Sequence, residues 1–418
     1  MDIYQRLGVT KRVNGAGLLT RLGGSLMDNE VLGAMREAAG AYVDMAELQT
    51  KAGEIVARHT GAEAAIVTSG AAAALTLAAA ACLAGTDVAR MERLPDTDGM
   101  PNEVIIHRAH RTGYDHAIRA AGARLVEIGF NDRGAGAGVR GLEAWEIEAA
   151  IGPKTAAIAY TATPDLEPPL ERIVAVAERF GLPVIVDAAA QLPPKENLRR
   201  FIGAGASLVA FSGGKAIRGP QGSGLLCGRD KLVASALIQM LDMDQLPETW
   251  APPDGLLSRH FPERFPHHGL GRGFKVDKET IAGLVVALER FAAFDLEADI
   301  AMRRRMLEHI AQAVEALPHC VARFPVAPPP ARFARDRGSE MKFPSLAIEI
   351  DAVALRTDIL TLSLALQRQN PPVHVSERYA SRGLLVVESG GLEPGDEELI
   401  ARAIAAVIGE KIGSARSN

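Results

Sequence analysis

The sequence predicts an α/β fold with a mostly parallel central sheet, followed by a smaller α+β unit. Up to about residue 230, short apolar runs alternate with segments of helical periodicity, which is typical of strands covered by helices on both faces. Beyond the proline-rich stretch 325–330, apolar runs at 345–350 and 383–388 read as strands. The segments 353–368 and 396–412 read as the helices of this second unit.

These patterns suggest a division of the chain into three parts. We expect an N-terminal arm and helix over 1–45 and a large α/β domain over 46–295. A connecting helix and a small α+β domain would occupy 296–418.

Composition and charge exclude several classes of protein. The chain has 418 residues, of which 48% are hydrophobic and 5% aromatic, as in ordinary α/β proteins. Lys and Arg number 46 against 51 Asp and Glu, so the formal net charge is −5. Because no long basic run is present, nucleic-acid binding is disfavoured as the main activity.

Nothing in the sequence predicts membrane insertion or export. The N-terminus lacks a signal-peptide pattern, and the longest apolar run, 71–85, is too short to span a bilayer. Cys82, Cys227 and Cys320 stand far apart in apolar surroundings, as small core residues of a reducing compartment do. No cysteine and histidine spacing matches a metal site. We therefore expect a cytoplasmic protein without a metal.

The segment around Lys215 is the most informative stretch of the sequence. Residues 211–224 contain this single lysine among five glycines, with apolar runs on either side. That pattern predicts a strand, a tight loop and a second strand. Because glycines let a backbone approach a ligand closely, Lys215 is expected at a binding site.

An acidic residue ends another predicted strand upstream. The apolar run 182–186 leads directly into Asp187. A carboxylate that keeps a pyridine nitrogen protonated and a lysine that forms a Schiff base are the groups that pyridoxal phosphate requires. Either residue alone has a common structural role, as a helix cap or a solvated side chain. Their occurrence together, with Ser212 near Lys215, favours the cofactor site.

Residues 64–78 predict a strand, a turn and an alanine-rich helix. The backbone N–H groups of residues 70–72 would be free at the helix start, and Ser69 adds a hydroxyl, which together could bind an anion. A capped core helix without a ligand is the alternative.

After the predicted strand 103–107, His110 could stack on a planar ring, with His107 and His116 as the other candidates for this contact. A structural hydrogen bond is equally compatible with each histidine.

The glycine, proline and polar content of three further stretches predicts loops or irregular structure. Residues 13–24 are glycine-rich and predict a loop that wraps near a ligand or a neighbouring subunit. Residues 86–102 are polar with two prolines and predict a loop. Residues 242–275 predict an irregular segment that serves as a lid or a subunit contact.

Several stretches resemble one known enzyme family. They are residues 13–17, 211–215, 219–222, 275–279, 371–373 and 384–388. They resemble the fold-type I pyridoxal phosphate enzymes of the selenocysteine synthase-like and D-glucosaminate-6-phosphate ammonia-lyase-like group. The resemblance covers nearly the whole chain, and the lysine segment is its specific part. It implies an aspartate aminotransferase-like large domain and pyridoxal 5'-phosphate as cofactor.

The resemblance also implies roles for individual residues. Lys215 would carry the Schiff base, Asp187 would pair with the pyridine nitrogen, and His110 would stack on the ring; these three are the predicted catalytic residues. The phosphate would be held by Ser69, Gly70, Ala71 and Ser212. Gln191 would lie near the phenolic oxygen or the substrate, and Arg272 would reach an anion in a neighbouring subunit.

Two departures from the family pattern bear on the reaction. The Asn-Gly-Ala-Gly segment begins so early that the N-terminal tRNA-binding domain of the selenium transferase would be missing. Glu388-Ser-Gly-Gly stands where the family has Arg-Thr-Leu. Both departures, with the acidic net charge, disfavour a tRNA-dependent reaction.

The resemblance therefore implies a lyase. We expect α,β-elimination of a β-substituent and ammonia from a small amino acid or amino-sugar acid, giving a 2-oxo acid. Alternatives are a transferase, by selenium or sulfur addition or by transamination, and a cofactor-binding protein without activity. The expected partners are a small-molecule substrate and a second copy in a homodimer or larger homo-oligomer with shared sites, without nucleic acid or membrane.

Overall fold

The computed structural model of the chain describes residues 1–129, 142–162, 169–260, 264–324 and 343–416. The chain groups into two compact units. The larger unit consists of residues 27–293, and the smaller unit combines residues 1–26 with 294–418. The three-part division expected from the sequence stays a prediction about folding domains.

The α-helices of the described residues, in chain order, are α1 (Ile3–Leu7), α2 (Asn29–Ala39), α3 (Met45–Thr60), α4 (Ala71–Ala84), α5 (Val88–Arg93), α6 (His116–Ala120), α7 (Ala144–Ala150), α8 (Leu170–Arg179), α9 (Asn197–Gly203), α10 (Asp230–Ile238), α11 (Leu256–His260), α12 (Lys278–Ala293), α13 (Leu296–Glu315), α14 (Ile359–Gln367) and α15 (Asp396–Arg416). Across these same ranges, no helix is both long enough and apolar enough to cross a membrane.

The β-strands of the described residues are β1 (Val13–Gly15), β2 (Ala64–Thr68), β3 (Glu103–His107), β4 (Arg124–Ile128), β5 (Thr155–Thr161), β6 (Val184–Asp187), β7 (Leu208–Ser212), β8 (Gly224–Gly228), β9 (Cys320–Arg323), β10 (Ser345–Ile350), β11 (Val373–Val375) and β12 (Leu384–Glu388).

The larger unit is built on a seven-stranded sheet in the order β2-β8-β7-β6-β5-β3-β4. Strands β3 to β7 pair in parallel with their neighbours, and β8 alone runs antiparallel to β7 and β2. The predicted mostly parallel sheet is therefore confirmed. Its central strands are almost entirely buried, which explains their continuous apolar runs. The carboxyl ends of the parallel strands meet at one edge of the sheet.

Helix α4 packs against strands β5 to β8. Its sequence is mostly alanine and it is buried on nearly every side. Small side chains allow a helix backbone to lie close to a sheet, so this helix is a core element. Its first residue therefore stands at a fixed position relative to the sheet edge.

The smaller unit contains an antiparallel sheet in the order β12-β10-β9 and a parallel pair, β1 with β11. Its apolar core is formed by α13, α14 and α15 with these strands. Arg303 of α13 is buried in this unit and donates to Asp299 Oδ2 at 2.7 Å and to the carbonyl of Ser389.

Some local expectations were wrong. The predicted loop 86–102 contains α5, because Asp87 caps its start and Met91 is buried. The predicted helix 353–368 begins only at Ile359, where Asp358 accepts the N–H of Thr361 at 2.9 Å. The predicted loop 13–24 begins with β1, and strands β9 and β11 were missed. The predicted glycine-rich loop 131–141 and the proline-rich boundary 325–330 lie outside the described residues.

Candidate active site

The Lys215 loop connects β7 to β8 and is closed by backbone hydrogen bonds. Ser212 at the end of β7 lies opposite Gly224 at the start of β8. The N–H of Gly213 donates to the carbonyl of Ser223, and the N–H of Gly219 donates to the carbonyl of Gly213, both at 2.9 Å. The predicted strand, tight loop and strand are thus present, and Lys215 stands within the loop.

Glycine is required at Gly224 by close packing of two backbones. A Cβ at this position would lie 2.6 Å from the backbone nitrogen of Ala71 and 2.8 Å from the carbonyl oxygen of Gly70. The return strand of the lysine loop therefore lies directly against the start of α4. This contact joins the predicted anion site to the predicted Schiff-base lysine.

The start of α4 offers unpaired backbone donors. Gly70 precedes the helix at φ 118°, a conformation that favours glycine, and no side chain caps the helix. The first N–H groups of a helix have no partner within it and carry the positive end of its dipole. The Ser69 hydroxyl donates to the carbonyl of Phe274 at 2.6 Å, so its proton points to the protein rather than outward.

Asp187 ends β6 at the carboxyl edge of the sheet. Burial raises the pKa of its carboxyl group, while a hydrogen bond from the Ala189 N–H, at 3.0 Å, and the positive charge of Lys215 lower that pKa. Burial is the largest of the three effects. The ionised carboxyl group therefore needs a cationic neighbour at this position. The positive charge of Lys215 is close enough to lower the pKa of Asp187 and so to stabilise its ionised form.

A small, partly open cavity of about 10 Å³ lies beside Asp187. Its lining comes from β3, β5 and β6, from α4, and from the segment 112–118 that follows β3: Leu75, Ile106, Thr112, Tyr114, Asp115, Ile118, Ala159, Tyr160, Thr161, Ile185 and Asp187. Open α/β sheets bind ligands at this edge, so the cavity stands where the sequence pattern predicts it.

His110 is buried at the same edge. Its ring lies edge-on to Tyr160 with 4.5 Å between centroids, and Thr161 Oγ1 donates to its backbone carbonyl at 2.8 Å. Both of its ring nitrogens lack a hydrogen-bond partner among the described residues. Burial, reinforced by the nearby His107, lowers the pKa of His110 to about 3. The imidazole is therefore neutral at physiological pH.

Two other predicted residues are held by protein groups. Gln191 is buried and donates to the carbonyl of Ala162, whose own N–H donates to the carbonyl of Asp187 at 2.9 Å. Gln191 thus braces the ends of β5 and β6. Arg272 forms an ion pair with Asp242 at 2.5 Å. The predicted contacts of Gln191 with the cofactor and of Arg272 with a neighbouring subunit stay predictions.

The cavity also contains residues that sequence reasoning missed. Tyr160 and Thr161 end an apolar strand, and a strand end was the signal that could have found them. Asp115 is buried and accepts from Arg111, which also pairs with Glu127. The spacing of Arg111 and Asp115, four residues apart, could have predicted this pair but not its place in the lining.

This arrangement defines a class of protein. A lysine in a tight loop, a partly buried carboxylate and an uncapped helix start at the carboxyl edge of a mostly parallel sheet are typical of fold-type I pyridoxal phosphate enzymes. The chain belongs to the aminotransferase class-V family, whose model matches residues 30–248.

Two curated relatives are similar over most of the chain. The 5'-C-glycyluridine monooxygenase-decarboxylase of a Streptomyces species is 31% identical over 411 residues, covering 96% of this chain and 90% of the relative. The D-glucosaminate-6-phosphate ammonia lyase of Salmonella typhimurium is 34% identical over 324 residues, or 76% of each chain. An L-seryl-tRNA(Sec) selenium transferase of Desulfotalea psychrophila is 26% identical, and the match spans 57% of its length.

Solved structures show the same relationship. A structure of D-glucosaminate-6-phosphate ammonia-lyase superimposes with a TM-score of 0.80 and 28% identity, covering 99% of both chains. The sphingosine-1-phosphate lyase of Burkholderia pseudomallei, at 14% identity and a TM-score of 0.52, covers 94% of this chain and 87% of its own, and shares the fold. The predicted fold type and the predicted enzyme family are therefore confirmed.

The residues of the larger unit fit pyridoxal phosphate. The partly buried carboxyl group of Asp187, whose pKa is raised by desolvation, is the group that a protonated pyridine nitrogen would neutralise. The uncapped start of α4 provides donors for a phosphate, and Gly224 leaves no side chain between it and the lysine loop. Both features match the charges at the two ends of the cofactor.

Proposed function

We propose that this enzyme releases ammonia from a 2-amino acid that carries a hydroxyl group on its β-carbon, giving a 2-oxo acid. The observation that carries this proposal is that Asp187 at the end of β6 pairs with β7, whose end leads directly into the Lys215 loop. The reaction type is supported by the ammonia lyase that is 34% identical to this chain.

Each part of the cofactor has residues in the larger unit that would hold it. The N–H groups at the start of α4, beginning with Ala71, together with Ser212 would bind the phosphate. Asp187 would accept from the pyridine nitrogen, and the neutral His110 would lie against the ring. When bound, the cofactor holds the amino nitrogen of the substrate and withdraws electrons from its Cα.

Lys215 would move the proton. Its amine takes the proton from the substrate Cα, and the β-hydroxyl then leaves with a proton as water. The resulting enamine adds one water molecule and releases ammonia, leaving a 2-oxo acid. The net reaction converts the amino acid into the oxo acid and ammonia, and it needs no oxidant.

The substrate side chain is proposed to derive from a sugar. Two curated relatives that match most of the chain are named for D-glucosaminate 6-phosphate and for 5'-C-glycyluridine, and both compounds are amino acids built on a sugar. A polyol or sugar-derived chain with a hydroxyl at the β-carbon is the feature that they share. We therefore place this class ahead of serine or threonine.

A second reaction has specific support. The relative that matches 96% of the chain is named a monooxygenase-decarboxylase. Oxygen-dependent decarboxylation of a sugar-derived amino acid is therefore the second candidate. The transferase reactions expected as alternatives require a molecule that accepts the transferred group. Neither the lyase reaction nor the oxygen-dependent decarboxylation requires one.

The test is a reaction panel with the cofactor-loaded enzyme. D-glucosaminate, its 6-phosphate, and the D and L forms of serine and threonine are incubated without any acceptor, and ammonia, 2-oxo acid, CO₂ and dissolved oxygen are measured. Equal amounts of ammonia and 2-oxo acid at constant oxygen would support the lyase. Oxygen uptake with CO₂ release would overturn it in favour of the second candidate, and turnover only with an added acceptor would favour a transferase.

We also propose a homodimer or larger homo-oligomer as the working form, as expected from the sequence. Sedimentation equilibrium would test this oligomeric state.

We also propose a cytoplasmic location, because Cys82, Cys227 and Cys320 are all free thiols, as is usual in a reducing compartment.

A further inference from the structure

Basic side chains meet at the paired strands of the smaller unit. Arg12 stands directly before β1, and His374 is the central residue of β11, where it lies opposite Asn14. Arg12 Nη1 lies 3.3 Å from His374 Nε2. Because a guanidinium group can only donate, Nε2 is the acceptor, and the neutral imidazole carries its proton on Nδ1.

The charge of a second arginine, Arg21, also acts on this imidazole. After β1 the chain reverses at Gly17, which has φ 85° and whose carbonyl accepts from Asn14 Nδ2 at 2.8 Å. Arg21 follows in the next turn. Burial lowers the pKa of His374, and the charges of Arg12 and Arg21 lower it further, whereas Glu377 opposes them. Both guanidinium groups therefore lie within electrostatic range of one ring.

The positive charge at this place is poorly balanced by protein groups. Within the parts of the chain that the structure describes, neither Arg12 nor Arg21 forms an ion pair with a carboxylate, and both are exposed. Two acids lie nearby and both have other partners. Glu377 accepts from Ser363 Oγ at 2.6 Å and from Gln367 Nε2 at 3.1 Å. Glu388, beside Gly17, pairs with Arg378 at 3.9 Å. Two like charges near one another without ion-paired acids favour the binding of an anion.

The imidazole supplies an independent observation. His374 is 5% exposed, and its buried Nδ1 has no hydrogen-bond partner among the described residues. A buried N–H without a partner is unfavourable unless a ligand or water accepts from it. The ring thus holds the Arg12 guanidinium with one nitrogen and retains an unused donor at the other.

We propose that Arg12, Arg21 and His374 form a binding site for a phosphate-type oxyanion in the smaller unit. The planar fork of each arginine matches the oxygens of such a group, and His374 positions Arg12. The site is separate from the residues proposed for the cofactor phosphate. The same chemistry could come from free inorganic phosphate or from the phosphate of a phosphorylated substrate.

Titration calorimetry of inorganic phosphate into the cofactor-loaded enzyme tests the proposal. Arg12→Gln and Arg21→Gln should each weaken phosphate binding at least about tenfold, since each removes a charge-assisted contact. Arg305→Gln removes an equal charge from an exposed position of α13 and should leave the affinity unchanged. His374→Leu should weaken binding, and His374→Gln, which keeps an acceptor for Arg12, should restore part of it.

The two sources of phosphate are separated by kinetics. If a substrate phosphate is the ligand, the KM ratio of D-glucosaminate to its 6-phosphate should fall in both arginine variants, with kcat little changed. Phenylglyoxal labelling of the unmutated enzyme needs no variant, and phosphate should protect Arg12 and Arg21 but not Arg305. No phosphate binding, no KM preference for the phosphorylated compound and no protection would together overturn the site, whatever reaction the enzyme catalyses.

Discussion

Gly224 and Gly70 are packed backbone to backbone. A Cβ at Gly224 would lie 2.8 Å from the Gly70 carbonyl oxygen, closer than any real Cβ contact. This contact brings the return strand of the lysine loop directly against the start of α4. It therefore couples the position of Lys215 to the proposed phosphate site.

The first prediction concerns this contact. Gly224→Ala should shift the loop or the helix start, at a cost of about 1–3 kcal/mol in stability, and should weaken pyridoxal phosphate binding at least about tenfold. Gly222→Ala is the matched control in the same loop, because a Cβ there meets nothing within 4 Å. Cofactor titration by absorbance checks both variants. Equal cofactor affinity in Gly224→Ala and Gly222→Ala would show that the contact does not position the site.

The second prediction concerns the charge of Asp187. Burial raises the pKa of this carboxyl group, so its contribution to stability is present when it is protonated and is lost as the pH rises through that raised pKa. Without cofactor, Asp187→Asn should therefore be at least as stable as the unmodified enzyme at neutral pH, and this advantage should shrink in acid. With cofactor the order should reverse, because Asn cannot neutralise a pyridinium nitrogen.

Urea denaturation at several pH values, with and without pyridoxal phosphate, checks the Asp187→Asn variant. A variant that is less stable than the unmodified enzyme without cofactor at neutral pH would mean that the carboxylate already has a sufficient cationic partner in the protein.

The third prediction concerns His110. Because burial lowers the pKa of His110 to about 3, its ring is neutral at physiological pH, and its nitrogens have no hydrogen-bond partner among the described residues. His110→Phe should keep most of the cofactor affinity and leave the acid limb of the pH–rate profile in place. His110→Ala should lose more affinity, because it removes the planar surface. A shifted acid limb in His110→Phe would instead assign a proton-transfer role to the imidazole.

The fourth prediction concerns the buried ion pair of the smaller unit. Arg303 and Asp299 are both almost fully buried and lie 2.7 Å apart. Asp299→Asn leaves a buried cation without its charge partner and should cost about 3–5 kcal/mol. The exposed pair Arg304 and Glu308, at 2.9 Å on the same helix, is the control, and Glu308→Gln should cost less than about 0.5 kcal/mol. Equal losses in urea denaturation would contradict a specific role for the buried pair.

The sequence predicted the elements whose signal is local. The strands that end at Asp187 and Ser212 are continuous apolar runs, and the glycines around Lys215 reflect close backbone contacts. The class of cofactor followed from the acid and the lysine together. These features depend on residues that are neighbours in the chain or on chemistry that few other sites require.

Other features depend on contacts between distant residues and could not be predicted. Strand β1 has only three residues, and it forms because it pairs with β11 far along the chain. The hydroxyl of Ser69 is directed to Phe274 by tertiary packing, and Gln191 turns to Ala162 for the same reason. The pairing of Arg12 with His374 likewise arises only when β1 and β11 meet.

The attachment of the cofactor to Lys215 is tested most directly by borohydride reduction of the cofactor-loaded enzyme, followed by peptide mapping. We predict loss of the visible absorbance band and a single phosphopyridoxyl label on Lys215, and neither should occur in Lys215→Ala. A label on another lysine, or a protein that binds no pyridoxal phosphate at all, would contradict the proposed site.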